Sequence, residues 1–174
     1  LVSLPLADAT PSSGAILRVA RLYHSSVVAG PGRRSVCQVQ GCTLGCPQCG
    51  LSSTHPTDGG VLLSVETVAG LLLDPASQPR DGITITGGEP TLQPNGLLAL
   101  LQRLKAHGVH IVVYSGYTLE ALAQRPEPEI HACLRLIDLL IDGPFVARLA
   151  DDAGEWRGSR NQRVIPKPGE WLEQ

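Results

Sequence analysis

Three cysteines, Cys42, Cys46 and Cys49, stand in the run Gly41-Cys-Thr-Leu-Gly-Cys-Pro-Gln-Cys49, spaced C-x3-C-x2-C. Sulfurs this close in sequence, with Gly45 and Pro47 to bend the backbone between them, can converge on one inorganic centre. A closed structural zinc site takes four ligands, and His55, at C-x5-H beyond Cys49, supplies a fourth at zinc-finger spacing. Three thiolates around a four-iron cluster instead leave one iron free to bind something else. The cysteine spacing alone leaves both readings open.

A second segment, Thr86-Gly-Gly-Glu-Pro90, bears on that choice. Gly87 and Gly88 lack the Cβ that would keep a ligand away from the backbone, as a close approach after a strand requires. Glu89 places an acceptor where a cationic amino group can be held by a charge-assisted hydrogen bond. A carboxylate is equally favoured at the start of a helix, so the segment also reads as an ordinary strand-to-helix turn.

The elements that must position these residues follow from periodicity. Ile16–Leu22, Ser35–Gln40, Gly82–Thr86, Val109–Tyr114 and Leu136–Asp142 read as strands, and residues 50–60 as loop. Ser64 can cap a helix carrying Val65, Val68, Ala69 and Leu72 on one face. A second helix carries Leu97, Leu100, Leu101 and Leu104 and is closed by Gly108; Thr118 caps a third through Ala123, and Ile130–Arg135 adds another turn or two. Strands alternating with helices imply an α/β fold with a parallel sheet and right-handed crossovers. Ligands in such sheets gather at the carboxyl ends of the strands. The cysteine loop, the Gly-Gly-Glu turn and Ser115-Gly-Tyr117 all fall just past strand ends, so all three are expected on one rim.

The whole chain narrows the function classes. Its 174 residues suit a single domain over 15–174 after a loose Pro/Ser/Gly-rich lead-in over 1–14. A net charge of −2 argues against a nucleic-acid or anionic-membrane partner, which calls for a basic excess. No apolar run reaches the ~18 residues of a spanning helix, and the N-terminus has no charged-then-apolar leader pattern. Five cysteines, three of them clustered, do not form a paired disulfide framework. They point to a reducing, cytoplasmic setting.

Taken together, the two motifs resemble the radical SAM superfamily, whose members carry C-x3-C-x2-C and a Gly-Gly-Glu segment after the second barrel strand. Further runs are similar to the activating proteins of anaerobic ribonucleotide reductase: Gly30-Pro-Gly-Arg33, Gln40-Gly-Cys-Thr-Leu-Gly-Cys-Pro47, Ser115-Gly-Tyr-Thr118, Asp138-Leu-Leu-Ile-Asp-Gly-Pro-Phe145 and Trp156-Arg-Gly-Ser-Arg-Asn-Gln162. The likeness covers residues from about 30 to 162. It implies a partial, laterally open (β/α) barrel. It also implies a [4Fe–4S] cluster on Cys42, Cys46 and Cys49, whose open iron chelates S-adenosylmethionine. Gly87, Gly88 and Glu89 are then expected to help bind the methionine amino group. The backbone of Gln48, Cys49 and Gly50 would lie near the adenine, and Ser115 would join the cofactor contacts from the same rim. The implied reaction is reductive cleavage of S-adenosylmethionine to a 5′-deoxyadenosyl radical that installs a glycyl radical on the reductase, with a flavodoxin or ferredoxin-type protein as electron donor. No protein acid or base is needed for that cleavage. Members of the superfamily usually carry an aromatic beside the third cysteine, where this chain has Pro47, Gln48 and Gly50.

Other chemistry-bearing residues read more plainly. Cys37 and Cys133 lie in apolar stretches and are expected to be core thiols. His24, His107, His110 and His131 have no ligand spacing. Arg157, Arg160 and Arg163 form a basic run that is either a solvated face or a surface for a partner, and Asp142 at a strand end either faces the site or caps a turn. About four βα-like units and no second lid domain leave the site open at the side, which suits a substrate that brings its own walls, such as a loop of another protein.

Overall fold

The computed structural model describes residues 14–173, so the lead-in expected over 1–14 lies outside the described residues but for Gly14. Seven strands form one sheet: β1 (Ile16–Ser26), β2 (Arg34–Val39), β3 (Val61–Ser64), β4 (Gly82–Gly87), β5 (Ile111–Ser115), β6 (Leu139–Asp142) and β7 (Arg163–Pro166), in the order β3-β1-β2-β4-β5-β6-β7. The end strands β3 and β7 do not pair, so the sheet stays open like a barrel with staves missing. Among the described residues four α-helices complete the α/β fold: α1 (Val65–Leu73), α2 (Pro94–Ala106), α3 (Leu119–Ala123) and α4 (Pro128–Leu136).

The expected parallel sheet is found only in its middle. β2, β4, β5 and β6 are parallel, whereas β1 runs antiparallel to both β2 and β3, and β7 antiparallel to β6. Connection length is the physical reason on the first side. Only residues 27–33 join β1 to β2, and a parallel return needs a crossover of about a dozen residues or more. On the other side, residues 143–162 hold no α-helix, only a 3-10 turn at Ala147–Leu149, and they fold back rather than cross over.

The helices form where the sequence pattern places them. Ser64 caps α1 by accepting the Thr67 N–H at 3.1 Å, and Thr118 caps α3 by accepting that of Ala121. Leu97, Leu100, Leu101 and Leu104 of α2 are fully buried, each worth roughly 1.5–3 kcal/mol of apolar burial. They pack with α1 and α4 against one face of the sheet, built from alternate residues Cys37 and Val39, Ile83 and Ile85, Ile111 and Val113. Both core thiols, Cys37 and Cys133, are pushed up to about 12 by burial, which makes them inert.

The other residues of the same strands, among them Arg34, Thr84 and Tyr114, face the concave side. Arg34 is fully buried there, and burial lowers its pKa to about 10. Its guanidinium is spent on protein acceptors: Thr84 Oγ1 at 2.6 Å and the carbonyls of Ile83, Pro31 and His110 at 2.7 to 3.0 Å. It ties the lower ends of β2, β4 and β5 together beneath the rim.

Candidate functional site

The loops that follow β2, β4, β5 and β6 meet at one rim and line a cavity of about 390 Å³. All the residues expected to hold the cluster or its ligand lie on it: Cys42, Cys46, Cys49, Gln48, Gly50, Gly87, Gly88, Glu89 and Ser115. So do His55, Leu44 and Gly116 of the segments expected on the rim, and residues given no role from the sequence, including Tyr114, Phe145 and Gln162.

Main-chain hydrogen bonds fix the cysteine loop to its neighbours. Gly88 N–H donates to the Val39 carbonyl and Glu89 N–H to that of Gly41, each at 2.8 Å. The return of the loop is clamped by Gly41 N–H to Thr54 and Cys42 N–H to His55, at 2.8 and 2.9 Å. Two buried or half-buried amides add to this: Gln40 Nε2 donates to the Pro56 carbonyl at 2.7 Å, and Gln93 Nε2 to that of Gln40 at 3.0 Å. Inside the loop, Gln48 sits at φ +59°, a left-handed conformation that costs a side-chain-bearing residue roughly 1–2 kcal/mol.

The two glycines after β4 have a different first role from the one their type suggests. A Cβ on Gly87 would stand 2.6 Å from the nitrogen and oxygen of Val39, and one on Gly88 would fall well under 3.0 Å from the Gly41 carbonyl. The absent side chains admit the backbone of the cysteine segment. Bringing the loop that close is what sets the thiols beside Glu89.

Glu89 is the one carboxylate in the cavity lining among the described residues, and it is 1% exposed. Its Oε1 accepts from Thr91 N–H at 3.0 Å, Thr91 Oγ1 at 2.7 Å and Ser115 Oγ at 3.0 Å, and its Oε2 accepts from Gly116 N–H at 2.7 Å. Burial pushes its pKa above the usual carboxylate value, and these four donors pull against that rise. Ser115 therefore acts first on Glu89, as a donor to its carboxylate.

The donor set fits an iron–sulfur cluster. Cys42, Cys46 and Cys49 carry free, half-buried thiols on one cavity wall. Burial, the largest influence, raises the Cys42 pKa together with nearby Glu89 and Cys46, while backbone groups of Leu44 and Gly45 hydrogen-bond its sulfur and favour the thiolate. Backbone donors to sulfur are the kind of contact that tunes cluster thiolates. A single zinc ion needs all its ligands within about 2.0–2.3 Å of one point. Among the described residues no three His, Cys, Asp or Glu side chains, Cys42, Cys46, Cys49 and His55 included, are drawn together around a single ion, so the fit rests on three thiols sharing one cavity wall. His24, His107, His110 and His131 lie off the cavity.

The wall opposite the cysteines comes from residues 143–162. Tyr114 Oη donates to the Trp156 carbonyl at 2.7 Å; burial raises its pKa far above the physiological range, so it stays a neutral donor. Gln162 Nε2 donates to Gly143 at 2.9 Å while its Oε1 accepts Gly158 N–H at 2.7 Å, and Asn161 Nδ2 donates to Pro144 at 2.7 Å. Buried Ser159 accepts the Val146 N–H. These contacts bring the Gly-Pro-Phe and Trp-to-Gln runs into the site. In the sequence both runs carry the family resemblance alone, and their position past the end of β6 is what puts them at the rim.

Asp142 and Arg163 resolve as structure. Asp142 is fully buried, accepts Leu119 N–H at the start of α3, and pairs with Arg163, which also pairs with Glu120. Asp142 does not line the cavity, and neither do Arg157, Arg160 or Arg163. The Arg163 contact holds the Glu120 carboxyl down at about 2, and Arg163 itself is raised by its carboxylate partners.

A family model described as a 4Fe-4S single cluster domain matches residues 28–165. The anaerobic ribonucleoside-triphosphate reductase-activating protein of Salmonella typhi is 36% identical over 154 residues, covering 85% of this chain and 97% of that one. The protein of the same name from Escherichia coli K12 is 34% identical over 148 residues, covering 82% and 94%; that of Enterobacteria phage T4 is 32% identical over 148 residues. Among solved structures, QueE from Escherichia coli shares the fold, with a TM-score of 0.52 at 19% identity over 59% of this chain and 53% of that one. With relatives matched along nearly their whole length and a cluster-domain model spanning the cysteine loop and both cavity walls, the chain belongs to the anaerobic ribonucleoside-triphosphate reductase-activating protein family.

Proposed function

We propose that this protein is a radical SAM activase that installs a glycyl radical on an anaerobic ribonucleotide reductase. The observation that carries the reading is the convergence of Cys42, Cys46 and Cys49 with Gly87, Gly88, Glu89 and Ser115 on one cavity. Cys42, Cys46 and Cys49 would hold a [4Fe–4S] cluster as thiolates, leaving one iron for S-adenosylmethionine. When bound, the pair supplies the one-electron cleavage of the sulfonium whose 5′-deoxyadenosyl product takes a hydrogen atom from a glycine.

The chain's own residues bind, orient and shield. Glu89 Oε2, with a single donor on it, has acceptor capacity left for the ligand's ammonium group. Gln48, Cys49 and Gly50 form the stretch of wall assigned to the adenine, presented through backbone since no aromatic stands there. Leu44 and Phe145 supply apolar surface that keeps water from the reacting atoms.

The cavity's 390 Å³ lies near the low end of the roughly 300–1,000 Å³ typical of small-ligand sites. A nucleoside cofactor takes up much of it, so a second substrate enters best as a narrow backbone loop carried by a large partner. A flavodoxin or ferredoxin-type protein is the proposed electron donor, in a cytoplasmic setting. Neither nucleic acid nor membrane is a proposed partner, in keeping with the net charge of −2. Among the described residues no helix is long and apolar enough to cross a membrane.

The test is anaerobic reconstitution followed by mixing of the reduced protein with S-adenosylmethionine and a candidate reductase. About four irons per chain, reductant-dependent 5′-deoxyadenosine and a glycyl radical by EPR are expected. Cofactor cleavage with no radical on any encoded glycyl-radical protein would shift the target to another protein, peptide or small molecule. Bound zinc without cleavage would overturn the reading altogether.

A further inference from the structure

Glu89 is held by hydroxyls whose own polarity is set from behind. Arginine carries only donors, so where Arg125 Nη1 meets Thr91 Oγ1 at 3.3 Å the hydroxyl oxygen must accept. Its single proton is then left for Glu89 Oε1, at 2.7 Å. Ser115 is set the same way: its Oγ accepts Tyr117 N–H at 3.1 Å and turns its proton to Glu89 at 3.0 Å.

With the two N–H groups of Thr91 and Gly116, every contact on the carboxylate is a donor. That arrangement suits the anion and leaves no acceptor for a protonated acid. Oε1 is filled by three donors, while Oε2 has one and keeps capacity free on the cavity side. Arg125 is itself fixed, paired with Glu127 through two hydrogen bonds and standing 6.0 Å over the Tyr117 ring. It does not line the cavity, so it touches no ligand there.

We propose that Arg125, acting through Thr91, is a positioning residue that holds Glu89 as a fixed acceptor and thereby selects ligands bearing an ammonium group. The proposal rests on the reading that S-adenosylmethionine occupies the cavity. Arg125 lies 34 residues from Thr91 in sequence, and their contact joins the turn after β4 to the segment after α3. Without the guanidinium the Thr91 oxygen loses its donor and becomes free to accept from a protonated Glu89 instead of donating to the anion.

The test compares two nucleosides by equilibrium dialysis against the anaerobic, cluster-loaded protein. S-adenosylmethionine carries the ammonium group; 5′-methylthioadenosine keeps the adenosine and sulfur but lacks the amino-acid portion. Arg125→Gln and Thr91→Val are each expected to weaken S-adenosylmethionine about tenfold, the scale of one hydrogen bond to a charged group, and leave 5′-methylthioadenosine within about twofold. Arg125→Lys, which keeps a donor and the charge, should recover most of the loss, with iron content equal in all variants. Equal weakening of both nucleosides would reduce Arg125 to a general structural role and overturn the proposal, as would unchanged S-adenosylmethionine affinity in both variants. Wild-type protein that binds neither nucleoside would instead overturn the functional reading beneath it.

Discussion

Replacing Gly88 by alanine tests how the cysteine loop is held against the Gly-Gly-Glu turn. The new Cβ would lie well under 3.0 Å from the Gly41 carbonyl oxygen, with the Gly41 carbon at 2.8 Å and its nitrogen at 3.0 Å. All three neighbours are backbone, so no side-chain rotation relieves the clash. Overpacking of this kind costs about 1–3 kcal/mol. Separating the segments also strains the two 2.8 Å bonds, Gly88 N–H to Val39 and Glu89 N–H to Gly41, each worth about 1 kcal/mol net. The sum is about 3–5 kcal/mol, a large part of the roughly 5–15 kcal/mol that stabilises an average domain. In urea, with a slope of about 2 kcal/mol/M, the unfolding midpoint of chelator-treated protein should fall by about 1.5–2.5 M. Gly116→Ala is the control. Its Cβ would meet the Cδ1 of Leu44, the tip of a half-buried side chain that can turn away, so its cost should stay below about 1 kcal/mol. Equal midpoints for the two variants, or a Gly88→Ala midpoint within about 0.3 M of wild type, would refute the claim that backbone approach is what these glycines serve.

Cys46→Ala should lower iron after anaerobic reconstitution from about four per chain to near zero, with far-UV circular dichroism unchanged; full iron retention would remove Cys46 from the ligand set. Glu89 should make stability pH-dependent: its folded pKa is raised above the ordinary carboxylate value by burial, so its contribution is present at low pH and lost as pH rises through the folded value. Wild-type chelator-treated protein should therefore lose stability relative to Glu89→Gln as pH rises above the ordinary carboxylate range, and parallel urea midpoints there would contradict it. Asp142→Ala should destabilise by about 2–3 kcal/mol, toward the low side for a broken buried pair because Arg163 is 44% exposed and can turn to solvent. S-adenosylmethionine affinity should be unchanged in that variant; a specific loss of binding would put Asp142 back at the site.

What could be read from the sequence was whatever depends on near neighbours. The leucines of α2 recur at helical spacing because their burial against one sheet face demands it, and the Ser64 and Thr118 caps act within three residues of themselves. Strands β3 and β7 were not legible for the opposite reason. Val61–Ser64 is a strand only because it lies beside Ile16–Val19, more than 40 residues away in sequence, and Arg163–Pro166 only because it returns along β6. The cavity residues were found since loops past parallel strands share a rim. Their detailed roles were not: the need for glycine at 87 and 88 comes from Val39 and Gly41, and the polarity of Thr91 comes from Arg125. Asp142 read as either site or cap for the same reason, because its partners Leu119 and Arg163 come from α3 and β7.

The two walls of the cavity are built by different means, and this bears on how one chemistry could serve different targets. The cysteine wall is tied mainly by main-chain bonds, from Val39 and Gly41 to Gly88 and Glu89 and from Thr54 and His55 to Gly41 and Cys42. Side chains there can vary without moving the thiols, provided the glycines remain. The facing wall depends on side chains, with Tyr114, Ser159, Asn161 and Gln162 each spanning a gap that the backbone leaves. Substitutions in it reshape one half of the opening and leave the cysteines and Glu89 where they are. On the proposed reading, cofactor binding belongs to the first wall and recognition of the target loop to the second. Selection for a new partner would then act on residues 143–162 while the cofactor half stays fixed, which is the division expected of a site whose second substrate is another protein.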